Sequence, residues 1–382
     1  MKRQKKMLAL GLSGLAAATL SVVGVVPAGA DYAPQAGDVV GLGGDTPQYA
    51  LTFIANGDTL GDAGINSAGA YNRLVTFNAT ADANGRSAYA NGSTEAHPLP
   101  LNPTDVLRAG TYPVQRNQSS GTAIKAILAD TGATPEINFV FSASLPTSAQ
   151  QTQAQTQGWG GLHVVRIGTD SVQIATADTT NAPNNLTINE LLTIYEGNVT
   201  KWNQLPGNSG GSGDTIIPEI PPASSSINKT LIASLTTANG GTAPTLGGNV
   251  ITVEQNDPNA VTGASSPADA IVPFSAARLN LYNSGYFHNP NTVFPGGTVL
   301  DAGIKFNTGA SAYDSPVTDY VIFRQSDLAS TTPFQPGSSI NWAQRLFSST
   351  TSTPYVASGA GQALINASGV TANYADLGLA HS

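Results

Sequence analysis

The chain has 382 residues, of which only 10% are charged and 40% are hydrophobic, and it contains 41 glycines and 24 prolines. This composition suits one or two folded domains rich in turns and excludes a compositionally disordered chain. The net charge of −8 argues against nucleic acids and anionic membranes as partners, and the lack of cysteine excludes disulfides and thiolate metal sites.

The first thirty residues predict a signal peptide. Residues 2–6 are mostly basic, residues 7–26 are apolar or small, and Ala28-Gly29-Ala30 gives a small-x-small cleavage pattern before Asp31. A retained membrane anchor is the alternative, because the apolar run approaches the ~20 residues needed to span a bilayer. We therefore expect a protein that is secreted or held at the cell surface, with no stable membrane insertion after cleavage following Ala30.

Downstream, short apolar strand-like runs alternate with helical patterns, which predicts an α/β fold. Helical spacing occurs over residues 123–128, 188–195 and 363–365, and Thr187 with Glu190 forms a capping box. The candidate strands are Leu162–Ile167, Val172–Ala175 and Tyr320–Arg324.

Catalytic and metal-binding patterns are missing from the sequence. The four histidines share no metal-ligand spacing, and the chain has neither a GxxxxGK[ST] loop nor a dinucleotide GxGxxG. Residues 207–211 match GxSxG, but polar loop residues flank them where a nucleophile elbow needs a strand and a helix. We expect no enzyme activity, no metal and no cofactor.

The segment Arg116–Thr122 runs directly into a predicted helix. The first turn of a helix has unpaired N–H groups and the positive end of the backbone dipole, so it attracts anions. Ser119, Ser120 and Thr122 would add hydroxyl donors, Gly121 would allow close approach of the backbone, and Arg116 would supply a charge-assisted contact. Ordinary capping by the serines is the alternative.

Two further loops have the same chemistry. Gly44, Asp45 and Thr46 follow the apolar run 39–42, and Ser224, Ser225 and Ser226 precede a helical pattern. Each loop is a weak signal by itself. Three of them between strands and helices are what a crevice for a small oxyanion requires.

Taken in order, four segments resemble the phosphate-binding proteins of bacterial ABC importers, especially their actinobacterial branch. They are residues 43–46, 119–146, 181–205 and 269–278. The resemblance covers most of residues 38–370. It implies a two-lobed, periplasmic-binding-protein-like α/β fold, with crossover strands near 168–172 and 312–318. Lobe I would comprise residues 31–170 and 316–382, and lobe II residues 171–315.

The same resemblance implies a ligand site between the lobes, and parts of its motifs are altered. The family's phosphate-binding Asp should fall near Ser142 and Ser144, and its Arg-x-Asp-Gly-Ser-Gly-Thr loop corresponds to residues 221–227, where only the serines remain. The expected ligand residues are Gly44, Asp45, Thr46, Arg116, Ser119, Ser120, Gly121, Thr122, Ser142, Ser144, Ser224, Ser225 and Ser226.

The resemblance also implies the partners. We expect a monomer that binds phosphate or a related small oxyanion and delivers it to an ABC permease. The alternative is a cell-surface or extracellular interaction protein that kept the fold and lost the phosphate site.

Overall fold

The computed structural model describes residues 33–58, 61–68, 72–79, 104–117, 119–283 and 303–382. The signal peptide expected over residues 1–30 lies outside these ranges. Among the described helices, none combines the length and the apolar character that crossing a bilayer requires.

Most of the described strands form one mixed sheet. The strands are β1 (Val39–Gly43), β2 (Leu74–Phe77), β3 (Thr104–Asp105), β4 (Val114–Gln115), β5 (Phe139–Ser142), β6 (Leu162–Ala177), β7 (Ile217–Ile220), β8 (Ile251–Thr252), β9 (Ala270–Ser275), β10 (Ile304–Phe306), β11 (Asp314–Arg324) and β12 (Thr371–Gly378). The order of the main sheet is β2-β1-β5-β11-β6-β9-β7-β8, with β10 and β12 also paired to β6, while β3 and β4 pair separately.

Two long antiparallel strands, β6 and β11, join the two ends of this sheet. They pair from Leu162 with Arg324 to Gln173 with Asp314. At one end, β1, β2 and β5 are parallel and meet β11; at the other, β7, β8 and β9 are parallel and meet β6. The predicted α/β class with two crossover strands is thereby confirmed, whereas the lobe boundaries stay a prediction.

Helices cover both ends of the sheet. They are α1 (Gln48–Asn56), α2 (Ser120–Ala129), α3 (Ser148–Thr156), α4 (Ile188–Tyr195), α5 (Ser226–Ala238), α6 (Asn259–Thr262), α7 (Ala276–Asn283), α8 (Trp342–Leu346) and α9 (Gly359–Ala367). The three helices expected from spacing correspond to α2, α4 and α9. Hydroxyl side chains cap several of them, among them Ser119 on α2, Thr187 on α4 and Ser225 on α5, because these oxygens accept otherwise unpaired N–H groups.

The apolar core lies against the sheet in three clusters. One packs α2 on β5, with Ile124, Ile127 and Val140 fully or almost fully buried. A second packs α4 and α5 on the opposite end of the sheet, around Trp202 and Leu231. The third and largest lies under α1, α7 and α9. Packing in these clusters fixes the positions of three loops: the one between β1 and α1, the one before α2 and the one before α5.

Candidate functional site

Strands β1 and β5 bring two predicted loops to one edge of the sheet. They are parallel neighbours with Gly43 opposite Phe141, so the segments that follow them leave the sheet side by side. The backbone N–H of Gly44 donates to the carbonyl of Phe141 at 3.0 Å. The carboxyl ends of parallel strands are the usual location of ligand sites in α/β proteins.

Gly44 lies directly against the start of helix α2. A Cβ atom on Gly44 would sit 2.5 Å from Ser120 Oγ and 2.9 Å from Ser120 N. Only glycine permits this approach, because any side chain would collide with the first turn of the helix. The loop at 43–47 and the N-terminus of α2 therefore form one surface.

The hydroxyl groups around α2 make local bonds. Ser119 and Thr122 form a capping box, with Ser119 N donating to Thr122 Oγ1 at 3.0 Å. Ser120 Oγ accepts from the backbone N–H of Ala143 at 2.9 Å. Ser142 Oγ donates to the carbonyl of Ser144 at 2.7 Å and accepts from its N–H at 3.0 Å. The capping expected of these serines is present at Ser119, whereas an anion site at this helix start stays a prediction.

Helix α5 brings the third predicted loop to the same place. Ser225 is its N-cap, accepting from the N–H groups of Ile227 and Asn228. Ser226 Oγ lies 3.2 Å from Thr46 Oγ1 within hydrogen-bonding distance, although 180 residues separate them. Ser224 is exposed beside them. We refer to Thr46, Ser119, Ser120, Ser225 and Ser226 as the hydroxyl cluster.

Asp45 is held inside the protein by its own set of donors. Its carboxylate forms an ion pair with Arg278 at 2.9 Å and accepts hydrogen bonds from the side-chain amides of Gln255 and Asn256. The guanidinium also donates to the Asp45 carbonyl at 2.8 Å and lies over the ring of Tyr49. With 1% exposure, Asp45 acts in this structure as an internal anchor. We refer to Asp45, Gln255, Asn256 and Arg278 as the Asp45 clamp.

Arg116 is engaged with a carboxylate and a backbone carbonyl inside the protein. Its guanidinium forms an ion pair with Asp105 at 2.7 Å and donates to the carbonyl of Asn78 at 2.9 Å. The side chain is 1% exposed. The charge of Arg116, which the sequence analysis assigned to a ligand contact, is matched here by a carboxylate of the β3–β4 pair.

A cleft of about 450 Å³ opens between the starts of α2, α3 and α5. Its described lining contains no aspartate or glutamate; it consists of Ser119, Gly121, Thr122, Ile124, Lys125, Ser144, Leu145, Thr147, Gln150, Ala223, Ser224, Lys229 and Ser382. A Cβ atom on Gly121 would be 3.6 Å from Lys229 Nζ. The cleft thus combines helix N-termini, hydroxyls and two exposed lysines, a setting that favours a small anion.

Two further carboxyl groups lie behind the clamp on the crossover strands. Burial raises the pKa of Asp170, while hydrogen bonds from Ser275 and Ala277 and the charge of Arg278 oppose that rise. Burial, together with the charge of Asp170, raises the pKa of Asp319 well above its usual value. Both carboxylate oxygens of Asp319 are buried without a hydrogen-bond partner, so the neutral acid is the favoured form.

Sequence reasoning missed the residues that hold the site together. Gln255 and Asn256 follow β8 in a stretch with no recognisable motif, and Lys229 lies on α5 among ordinary helical residues. Arg278 belongs to the 269–278 segment that carried part of the resemblance. Its ion pair with Asp45 could not be read from the chain, because 233 positions separate the two.

A family model described as a PBP superfamily domain matches residues 80–329. The chain belongs to the PBP superfamily. The resemblance drawn from the sequence is therefore confirmed at the level of the family, whereas the actinobacterial branch stays a prediction.

Three solved structures are among those similar to this superfamily member. A putative phosphate ABC transporter substrate-binding protein with bound phosphate from Clostridium perfringens is 11% identical, over 88% of this chain and 99% of that one, with a TM-score of 0.48. PstS from Borrelia burgdorferi is 13% identical (87% and 98% covered, TM-score 0.40). An ABC-type phosphate transport receptor from Vibrio cholerae is 13% identical (76% and 88% covered, TM-score 0.40). None of the curated proteins compared with the chain matches it significantly.

Proposed function

We propose that this chain is a solute-binding protein that holds phosphate or a related small oxyanion at the hydroxyl cluster. The observation that carries the proposal is the meeting of three separate segments, at Thr46, Ser120 and Ser226, where two helices begin. Membership of the PBP superfamily supports a binding role.

The electrostatics of the cluster favour an anion. The N-termini of α2 and α5 direct backbone N–H groups and the positive ends of two helix dipoles toward this region. Lys229 and Lys125 line the adjoining cleft. The loop after β1 also carries a carboxylate, that of Asp45. Because Asp45 is paired with Arg278, its charge repels a bound oxyanion less than a free carboxylate would.

Binding without chemistry is the function we assign. Hydroxyl and backbone N–H donors at the starts of α2 and α5 can orient an oxyanion and stabilise its charge, and this requires no proton transfer or covalent step. We further propose delivery to an ABC permease, secretion or surface retention, and a monomeric state, since these accompany the phosphate-importer resemblance of the sequence.

The affinity should be modest. Serines stand near positions 142 and 144, where the family resemblance places a phosphate-binding Asp, and residues 221–227 stand where it places an Arg-containing loop. Arg116 does not replace that arginine here, because it is paired with Asp105. Charge-assisted hydrogen bonds contribute roughly 1.5–3 kcal/mol each. Losing two could therefore weaken binding on the order of a hundredfold or more relative to a site that retains them.

Isothermal titration calorimetry of the purified protein tests the proposal directly. Inorganic phosphate, sulfate and a neutral sugar are titrated to millimolar concentration, with circular dichroism recorded on the same sample. Saturable binding of an oxyanion, with no heat from the sugar, is the expected result. A folded protein that binds neither oxyanion would refute the proposal and favour the interaction-protein alternative.

A further inference from the structure

The side-chain amide of Gln255 connects two loops of the proposed oxyanion site. Its Nε2 donates to the carboxylate of Asp45 at 2.9 Å, and its Oε1 accepts from the hydroxyl of Ser225. Gln255 is buried, as are both of its partners. One amide therefore joins the loop after β1 to the N-cap of α5.

Each partner of Gln255 is adjacent in sequence to one of the two residues whose hydroxyls meet in the cluster. Asp45 precedes Thr46 and Ser225 precedes Ser226, and the hydroxyls of Thr46 and Ser226 lie 3.2 Å apart. A displacement of either anchor would therefore change the separation of these two hydroxyls.

We propose that Gln255 is a positioning residue, one that sets the spacing of the Thr46 and Ser226 hydroxyls and so the oxyanion affinity of the site. This inference rests on the proposed function. Gln255 is absent from the cleft lining, and it acts through Asp45 and Ser225.

An amide is the chemical group that this position requires. Asp45 needs a donor and the Ser225 hydroxyl needs an acceptor, and glutamine offers both on one planar group. An ionised glutamate would satisfy Ser225 and repel Asp45, and a methionine of similar size would satisfy neither. Arg278 supplies the charge that lets the carboxylate of Asp45 remain buried.

A double-mutant cycle tests the inference. Affinities for inorganic phosphate are measured by calorimetry for the unaltered protein, Gln255→Met, Thr46→Val and the double variant. Loss of a buried hydrogen-bonding group predicts about a tenfold weaker affinity for Gln255→Met alone. If Gln255 acts through the hydroxyl pair, the same change should cost less than about twofold in the Thr46→Val background.

The control is Gln151→Met, because Gln151 is also a buried glutamine whose amide bonds to the backbone of Leu162. It should lower the melting temperature and leave the phosphate affinity unchanged. If Gln255→Met does not fold, Gln255→Asn replaces it, with a similar expected loss because the amide on the shorter side chain is drawn away from Asp45 and Ser225. Multiplicative losses in the double variant, or equal losses from Gln151→Met, would overturn the inference.

Hydrogen exchange separates this inference from the proposed function. Gln255→Met should speed amide exchange in both the 44–47 and 226–229 segments, whereas Gln151→Met should affect neither. If the unaltered protein binds no oxyanion but this paired acceleration occurs, the proposed function fails and the coupling through Gln255 stands. If neither segment responds, the coupling itself is refuted.

Discussion

Thr46 and Ser226 are 180 positions apart in the chain, yet their hydroxyl oxygens are 3.2 Å from each other. Thr46 lies in the loop after β1, and Ser226 begins helix α5 beyond the crossover strand β6. The contact therefore connects the two ends of the sheet at one point.

Removing either hydroxyl of this pair should weaken oxyanion binding. We expect Thr46→Val, which keeps the side-chain shape, and Ser226→Ala to lower the affinity for inorganic phosphate by about five- to tenfold each, since one hydrogen bond contributes about 1 kcal/mol. Calorimetric titration gives both dissociation constants.

The matched control for Thr46→Val is Thr52→Val. Thr52 Oγ1 donates to the backbone carbonyl of Gln48 within helix α1, so its loss should leave phosphate affinity unchanged. Equal affinities for Thr46→Val and the unaltered protein would remove Thr46 from the site.

Much of the fold could be read from local patterns. The caps at Ser119 and Thr187 marked the starts of α2 and α4, because capping depends on neighbouring residues alone. The strands predicted at 162–167 and 172–175 are instead one strand, β6. At Gly168, within this strand, a Cβ atom would be 2.5 Å from Val370 Cγ1, so glycine serves close packing in an extended strand.

The sequence predicts the loops that form the candidate site but not the distant residues that pair with their side chains. Strand-to-helix loops rich in hydroxyls are visible in sequence, and the structure brings those at 44–46, 119–122 and 224–226 together. The partners of Arg116 and Asp45 were not visible, because ion pairing with Asp105 and Arg278 depends on how distant segments pack. Charge alone does not reveal whether an arginine faces a ligand or a neighbour.

Lys229 should contribute a long-range, salt-sensitive attraction. It is exposed, lines the cleft and lies close to Gly121 at the start of α2. We expect Lys229→Gln to weaken phosphate binding by about threefold at low ionic strength, a difference that roughly 0.5 M salt should largely abolish by screening.

The control for Lys229→Gln is Lys201→Gln, since Lys201 is exposed outside the cleft lining. Calorimetric titration of both variants with phosphate, in low and in high salt, measures whether the loss of affinity depends on ionic strength. A loss for Lys229→Gln that is the same at both salt concentrations would argue against a mainly electrostatic role.

Arg116 should matter for stability and little for affinity. Its buried pair with Asp105 predicts that Arg116→Met alone destabilises the protein by about 3–5 kcal/mol, because the buried Asp105 carboxylate loses the positive charge beside it. The double variant Arg116→Met/Asp105→Leu should recover much of this loss. Urea denaturation measures both effects, and phosphate affinity of the folded double variant should stay within about twofold of the unaltered protein. A large loss of affinity with unchanged stability would instead make Arg116 a ligand residue.

Asp319 should make the stability of the protein depend on pH. Burial and the charge of Asp170 raise its pKa in the folded state, while in the unfolded chain the carboxyl loses its proton near pH 4. Above that pH the folded state holds a proton that the unfolded state has released, so the free energy of unfolding falls as pH rises toward the folded pKa.

Replacing Asp319 by asparagine removes this titration. Urea denaturation from about pH 5 to about pH 8 should show Asp319→Asn gaining stability relative to the unaltered protein as pH rises. Parallel stability curves for Asp319→Asn and the unaltered protein would show that folding does not change the pKa of Asp319, contrary to this prediction.

Asp269→Asn should change the stability in the opposite direction. Burial alone would raise the pKa of Asp269, but hydrogen bonds from Ser266, Asn181 and Trp202 outweigh burial and lower that pKa. The stability that Asp269 supplies is present above its unfolded pKa and is lost as pH falls through the lower folded pKa, so this variant should lose most at neutral pH.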